Sequence, residues 1–127
     1  MRKPSRKTLV RNLDKVTAEV VKLRDDYTCQ RCMKKCSGFG AHWSHIYSRS
    51  RYSMRWDLLN SVCMCAGCHL WYHGYPTMSG EWFKKKWPHR YDYLQAERKK
   101  PLRPIKDWEL AEWLAERKQK LEELKNG

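Results

Sequence analysis

The fold turns on residues 29–73, CQRCMKKCSGFGAHWSHIYSRSRYSMRWDLLNSVCMCAGCHLWYH. Two C-x2-C pairs, Cys29/Cys32 and Cys65/Cys68, stand with 32 residues between them. A C-x2-C turn points two thiolates at one ion, and two such turns complete a tetrahedron around Zn2+. A structural site of this kind contributes folding energy directly, which suits a 127-residue chain with a modest core. Disulfides are the competing reading, but nothing at the N-terminus reads as a secretion signal. A redox C-x2-C pair ordinarily comes singly, beside a βαβ pattern that is absent here. Cys36 and Cys63 are surplus to four ligands. They read as buried or free thiols, or as substitutes for a neighbour in another register.

The segments around the two knuckles follow from periodicity. Upstream, Leu9, Leu13, Val16, Val20 and Leu23 recur at helical spacing, predicting an amphipathic basic helix over Lys7–Arg24. Ala41–Tyr47 and Ser61–Met64 read as two short strands of a hairpin inserted between the knuckles. Ser48–Leu59, polar and Arg-rich, reads as an exposed connection. Ala66–Tyr72 has room for a short helix closed by Gly74 and Pro76. Glu81–Trp87 reads as one or two basic turns stopped at Pro88, and Lys99–Pro104 as a linker. Asp107 is the expected N-cap of a last helix whose Leu110, Leu114, Leu121 and Leu124 line one side, interrupted by Arg117. The organisation is thus a basic N-terminal helix (1–24), a zinc-stapled domain (25–98), and a linker with a C-terminal helix (99–127). The fold class is α+β.

Chemistry-bearing residues lie between and just after the knuckles: His42, His45, Asn60, His69 and His73. His69 and His73 are i and i+4, so on a helix they share a face and can grip one divalent ion. Phosphodiester hydrolysis needs a deprotonated water and neutralised charge at phosphorus and the leaving oxygen. A histidine titrating near neutral pH serves the first need and a metal ion the others.

The runs His45-Ile-Tyr-Ser-Arg49-Ser, Arg55-Trp-Asp57-Leu-Leu-Asn60 and Cys63-Met-Cys65-Ala-Gly-Cys68-His69 resemble the small phage-type HNH endonucleases. With Asp-Asp-Tyr-Thr-Cys29-Gln-Arg-Cys32 before them, they resemble the zinc-stapled branch of that family. The resemblance covers roughly residues 20–90. It implies a ββα-metal core in which two antiparallel strands and a helix surround one divalent ion, Mg2+ or Mn2+ among the candidates. It implies His45 as general base, Asn60 as the brace of the loop that orients it, and His69 with His73 as helix ligands of the ion. The position before the base, often His or Asp in that family, is Ser44 here. His42, two residues earlier, is the candidate substitute ligand. His73 has a plainer reading as a C-terminal helix cap.

Charge fits a polyanion partner. The chain carries 27 Lys and Arg against 14 Asp and Glu, a net +13, with 7 Trp and 7 Tyr that set it apart from a disordered basic tail. Segments 1–24 and 81–106 carry about +6 each, and only 107–127 is acidic. Arg49, Arg51 and Arg55 are expected to flank the cleft and pair with phosphates. Lys84, Lys85 and Lys86, with Arg2, Lys3, Arg6, Lys7 and Arg11, are expected to add sequence-independent attraction. Trp43, Trp56, Trp71, Trp82 and Trp87 read mostly as core, with base stacking as the alternative. No run of the sequence approaches a membrane span, and the expected compartment is the cytoplasm, that of a host cell if the chain is phage-encoded. The expectation is a metal-dependent DNA endonuclease of low sequence specificity, with a non-catalytic zinc-stapled nucleic-acid-binding module as the alternative. The last helix is expected to dock on the domain, dimerise, or join a packaging or replication partner.

Overall fold

The computed structural model describes residues 2–127 and is α+β, with six helices and one two-stranded antiparallel sheet. Helix α1, Arg6–Arg24, starts where the Ser5 hydroxyl accepts from the Thr8 N–H at 3.2 Å. Its end is a Schellman turn: Tyr27 N–H donates to Lys22 C=O at 2.8 Å and Asp26 N–H to Leu23 C=O at 3.0 Å. Asp26 takes the left-handed position there, φ 54°, which Asp tolerates better than most side chains.

Strands β1 (His42–His45) and β2 (Ser61–Met64) pair with His42 opposite Met64 and His45 opposite Ser61. Between them lie the one-turn helix α2 (Tyr52–Arg55) and a 3-10 turn over Leu58–Asn60. Helix α3 (Ala66–Gly74) follows β2 directly, then α4 (Pro76–Lys86), α5 (Pro88–Lys99) and α6 (Asp107–Asn126). Pro76 and Pro88 each occupy a first helical turn, where a missing N–H costs nothing. Each proline therefore starts a new helix, and α5 occupies a stretch to which periodicity assigned no element. The last helix is capped by Lys106, with Glu109 accepting from the Lys106 N–H at 2.8 Å. Asp107, the expected cap, is its first residue.

Two apolar clusters flank the hairpin. One gathers Met54, Val62, Met64, Tyr72, Phe83 and Leu94 beneath α3, α4 and α5. The other joins Leu9 and Leu13 of α1 to Leu110 and Leu114 of α6 around Trp56 and Ile105. The leucine stripe of α6 is thus covered by this chain's own first helix. Arg117 stands within that stripe, where its guanidinium reaches the Trp56 carbonyl at 2.9 and 3.2 Å. The connection between the strands is only partly exposed, since Met54 and Trp56 are fully buried. Among the described residues no helix is long and apolar enough to cross a membrane.

Candidate metal centre and histidine cleft

Two backbone turns aim four sulfurs at one point. In the first, Thr28 bridges to Lys35, Cys29 N–H donates to Lys34 C=O, and Met33 N–H returns to Cys29 C=O. In the second, Cys65 caps α3 and its Sγ accepts from the Cys68 N–H at 3.4 Å. The two meet where Gln30 N–H donates to Cys63 C=O at 2.9 Å. The Sγ atoms of Cys29, Cys32, Cys65 and Cys68 all lie within 4.8 Å of one another. A tetrahedral ion with metal–sulfur bonds of about 2.3 Å needs sulfur–sulfur edges of about 3.8 Å, and Cys32 and Cys65 stand 3.9 Å apart. The set is sized for an ion such as Zn2+.

The electrostatics agree. Burial works to raise the Cys29 thiol, but N–H groups of Cys32, Cys65 and Arg31 outweigh it and bring the thiol down to about 6. Burial pushes Cys68 up to about 12. A cation at the centre of the four sulfurs would offset the burial that holds Cys68 up. Arg31 stands over this corner, its guanidinium 3.5 Å from the Cys68 sulfur and 3.6 Å from the centre of the Trp71 ring. Cys36 and Cys63 are buried outside the four-sulfur set, and burial raises both thiols.

The histidines meet on the other flank of α3. His45, His69 and His73 line one cleft of about 340 Å³, together with Trp43, Arg49 and the backbone after β1. His45 is 7% exposed, and its Nε2 lies 2.9 Å from the Arg55 carbonyl oxygen. A carbonyl only accepts, so Nε2 carries the proton and the neutral ring keeps its lone pair on Nδ1. Burial lowers its pKa to about 4, with the charges of Arg49 and Arg55 adding to the effect, so the ring is neutral at pH 7 and titrates well below the near-neutral range expected from the sequence.

His69 Nδ1 lies 2.9 Å from His42 Nδ1, and the His69 and His73 ring centroids are 4.9 Å apart. One of the two Nδ1 atoms must donate. If His69 donates, its Nε2 is left free as a ligand and His42 serves to orient it. Burial, then the charges of His73 and His42, lowers the His69 pKa and favours the neutral, ligand-competent ring. Among the described residues only the four cysteines bring three or more ligand atoms together within 4.8 Å. The imidazoles of His42, His69 and His73 do not gather into such a group. Ser44 is fully buried in the sheet and its hydroxyl has no partner.

Asn60 is fully buried and holds the connection after β1 at three points. Its Oδ1 accepts from Tyr47 N–H at 3.0 Å, and its Nδ2 donates to the carbonyls of Met54 at 3.1 Å and Tyr47 at 3.4 Å. Its own carbonyl accepts from Ile46 N–H at 2.8 Å. The turn carrying Asn60 is pinned in turn by Arg24 and Arg90. Both donate to the Ser61 carbonyl, and Arg90 also to that of Leu59.

The arginines between the strands divide by partner. Arg55 is bound by Asp14 of α1 through two hydrogen bonds, at 2.6 and 3.0 Å. Arg51 donates to the carbonyls of Arg98 and Lys100. Only Arg49 lines the cleft with its head mostly in solvent, 3.5 Å from Asp14. Lys84 and Lys85 are exposed on α4, away from the residues lining the cleft. Sequence reading missed Asp14, Arg24, Tyr72 and Arg90. Tyr72 donates its hydroxyl to the Ile46 carbonyl at 3.1 Å, tying α3 to the residue after His45. Each of these acts through a contact distant in sequence that no local pattern announces. No family model matches this chain, and neither the curated proteins nor the solved structures compared with it contain a match.

Proposed function

We propose that this protein is a divalent-metal-dependent DNA endonuclease of the HNH type, its scaffold held by zinc on Cys29, Cys32, Cys65 and Cys68. The observation that carries the reading is the aim of His45. Its Nε2–H is fixed on the Arg55 carbonyl, its Nδ1 is free to accept, and it shares a cleft with His69 and His73. In the reaction, Nδ1 of His45 takes a proton from water, the water oxygen bonds to phosphorus, the P–O3′ bond breaks, and the departing 3′ oxygen takes a proton from solvent. The products are a 5′-phosphate and a 3′-hydroxyl. His69 and His73 would hold the divalent ion, with His42 orienting His69. That ion would supply charge neutralisation at the phosphate and at the departing oxygen. Arg49 contacts the phosphate from the rim, and Asn60 positions the loop.

The test is conversion of supercoiled plasmid by purified protein across a series of Mg2+, Mn2+, Co2+ and Ni2+. Wild type gives open-circle or linear DNA in at least one metal, and His45→Ala gives none while keeping its zinc and fold. An active His45→Ala protein removes the assignment. That the imidazoles do not gather three ligand atoms within 4.8 Å favours a second reading, a zinc-stapled nucleic-acid-binding module without catalysis. Retarded but uncut plasmid in every metal would establish that one.

A further inference from the structure

The cations expected to bind DNA around the cleft are largely engaged within the protein, which raises the question of which surface meets the polyanion. Across α3 from the histidines, the first zinc knuckle and α4 form a continuous cationic face. Trp71 lies half a helical turn from His69 and His73, so it points away from the cleft. The Arg31 guanidinium carbon lies 3.6 Å from the centre of its ring. Trp71 meets Trp82 edge to face at 6.0 Å. The Lys86 ammonium stands 5.8 Å from Trp82 and 5.0 Å from Trp87, and donates to the Gln30 carbonyl of the knuckle. Lys84 lies 5.1 Å over Tyr91. Lys34 on the knuckle and Lys85 on α4 are exposed.

Two features separate this face from an ordinary solvated charge run. The first is charge left without a carboxylate partner: among the described residues no ion pair involves Lys34, Lys84, Lys85 or Lys86, whereas Lys35 pairs with Asp26 and Arg31 faces the Cys68 sulfur. Glu81, the one carboxylate on α4, makes none with them. Arg49 and Arg55, by contrast, are both paired with Asp14. The second is preorganisation. The heads of Lys84 and Lys86 are each held against an aromatic ring, which fixes cationic groups without discharging them. Because these rings are occupied by cations, the face offers phosphate contacts rather than base stacking.

We infer that the knuckle–α4 face is a second, sequence-independent docking surface for the phosphate backbone of duplex DNA. The inference rests on the reading that the partner is DNA, and not on the reading that the DNA is cut. Affinity resides mainly on this face, and the cleft receives a strand already held.

The test is binding of a fluorescein-labelled 20-base-pair duplex to zinc-loaded full-length protein without added divalent ion, by anisotropy from 50 to 200 mM salt. The double variant Lys34→Ala/Lys85→Ala should bind at least tenfold more weakly at 100 mM salt. Its log K versus log salt slope should flatten by about 1.8, close to 0.9 for each lost phosphate contact. The control Lys118→Ala/Lys120→Ala on α6 should match wild type. Bound zinc and circular dichroism confirm that the variants are folded. An unchanged slope and affinity in the knuckle–α4 variant overturns the inference. Preference of the wild type for a single strand of the same sequence also overturns it, in favour of a single-strand platform. A wild type that binds with the expected slope change but never nicks plasmid leaves this face standing and ends the nuclease reading. A wild type that nicks while the variant binds normally does the reverse.

Discussion

Asp14 and Arg55, 41 residues apart, form a two-point ion pair at 2.6 and 3.0 Å, and the same carboxylate accepts the Trp56 indole N–H at 2.7 Å. The carbonyl of Arg55 is the group that fixes the His45 ring. A carboxylate on the first helix therefore reaches the proposed base through one residue's side chain and backbone. Asp14→Ala leaves a half-buried guanidinium and a buried indole N–H without their acceptor. It should cost about 2–3 kcal/mol in urea unfolding. It should also lower the cleavage rate at saturating DNA by tenfold or more, a larger change than in DNA affinity. Asp14→Glu should recover part of both. Equal losses of rate and affinity would mean that Asp14 acts on the fold alone.

Asn60 carries a different load, since all three of its side-chain bonds are to the backbone of one connection. Asn60→Ala orphans the Tyr47 N–H and frees the Met54 carbonyl in a buried site. A loss of about 3 kcal/mol is expected by chemical denaturation, at roughly 1–3 kcal/mol per orphaned group. Asn60→Asp keeps the acceptor for Tyr47 but sets a buried carboxylate oxygen against the Met54 and Tyr47 carbonyls, so above pH 6 it should be at least as unstable as Ala. An Ala variant as stable as wild type would remove the brace.

The four-cysteine centre predicts a separable phenotype. Cys65→Ser removes one thiolate and alters the cap of α3, whose Sγ accepts the Cys68 N–H. Zinc content should fall below one per chain and the thermal midpoint should drop by more than 10 °C. Cys36→Ala, outside the set, should keep full zinc by a colorimetric chelator assay. Loss of zinc in the Cys36 variant would assign the ligands differently.

What the sequence disclosed, and what it did not, divides by range. The knuckles, the hairpin and the first and last helices were legible because spacing within a short window encodes them. The four sulfurs converge as their C-x2-C spacing requires. Helix α5 was missed because its single buried residue, Leu94, leaves no stripe to detect. Arg117 looked like a break in an apolar stripe because its partner, the Trp56 carbonyl, lies 61 residues away. The arginines between the strands looked like a solvated, phosphate-facing run for the same reason. Their charge was visible, but Asp14, which binds Arg55, was not. Trp56 illustrates the converse, since it anchors a cluster built from α1 and α6 that no local pattern around it suggests.

The buried, neutral His45 makes a signed prediction about pH. Its ordinary pKa of 6.5 is lowered to about 4, by burial first and then by Arg49 and Arg55, against the Arg55 carbonyl bond and Asp14, which favour the charged ring. Between pH 6.5 and 4 the unfolded chain takes up a proton that the folded ring refuses. Stability from this residue is thus fully present above pH 6.5 and is lost as pH falls toward 4. At 1.36 kcal/mol per pKa unit, the loss by pH 4.5 is about 2–3 kcal/mol. Thiolates of the metal centre also take up protons in acid, so the measurement is a difference. Urea unfolding of wild type and His45→Gln is compared at pH 7.5 and at pH 4.5, with zinc held equal. Glutamine can donate to the Arg55 carbonyl but cannot titrate. The wild type should therefore lose about 2–3 kcal/mol more than the variant across that interval. A constant gap between the two proteins would mean that the ring protonates freely in the folded state, and that it is not the sequestered base proposed here.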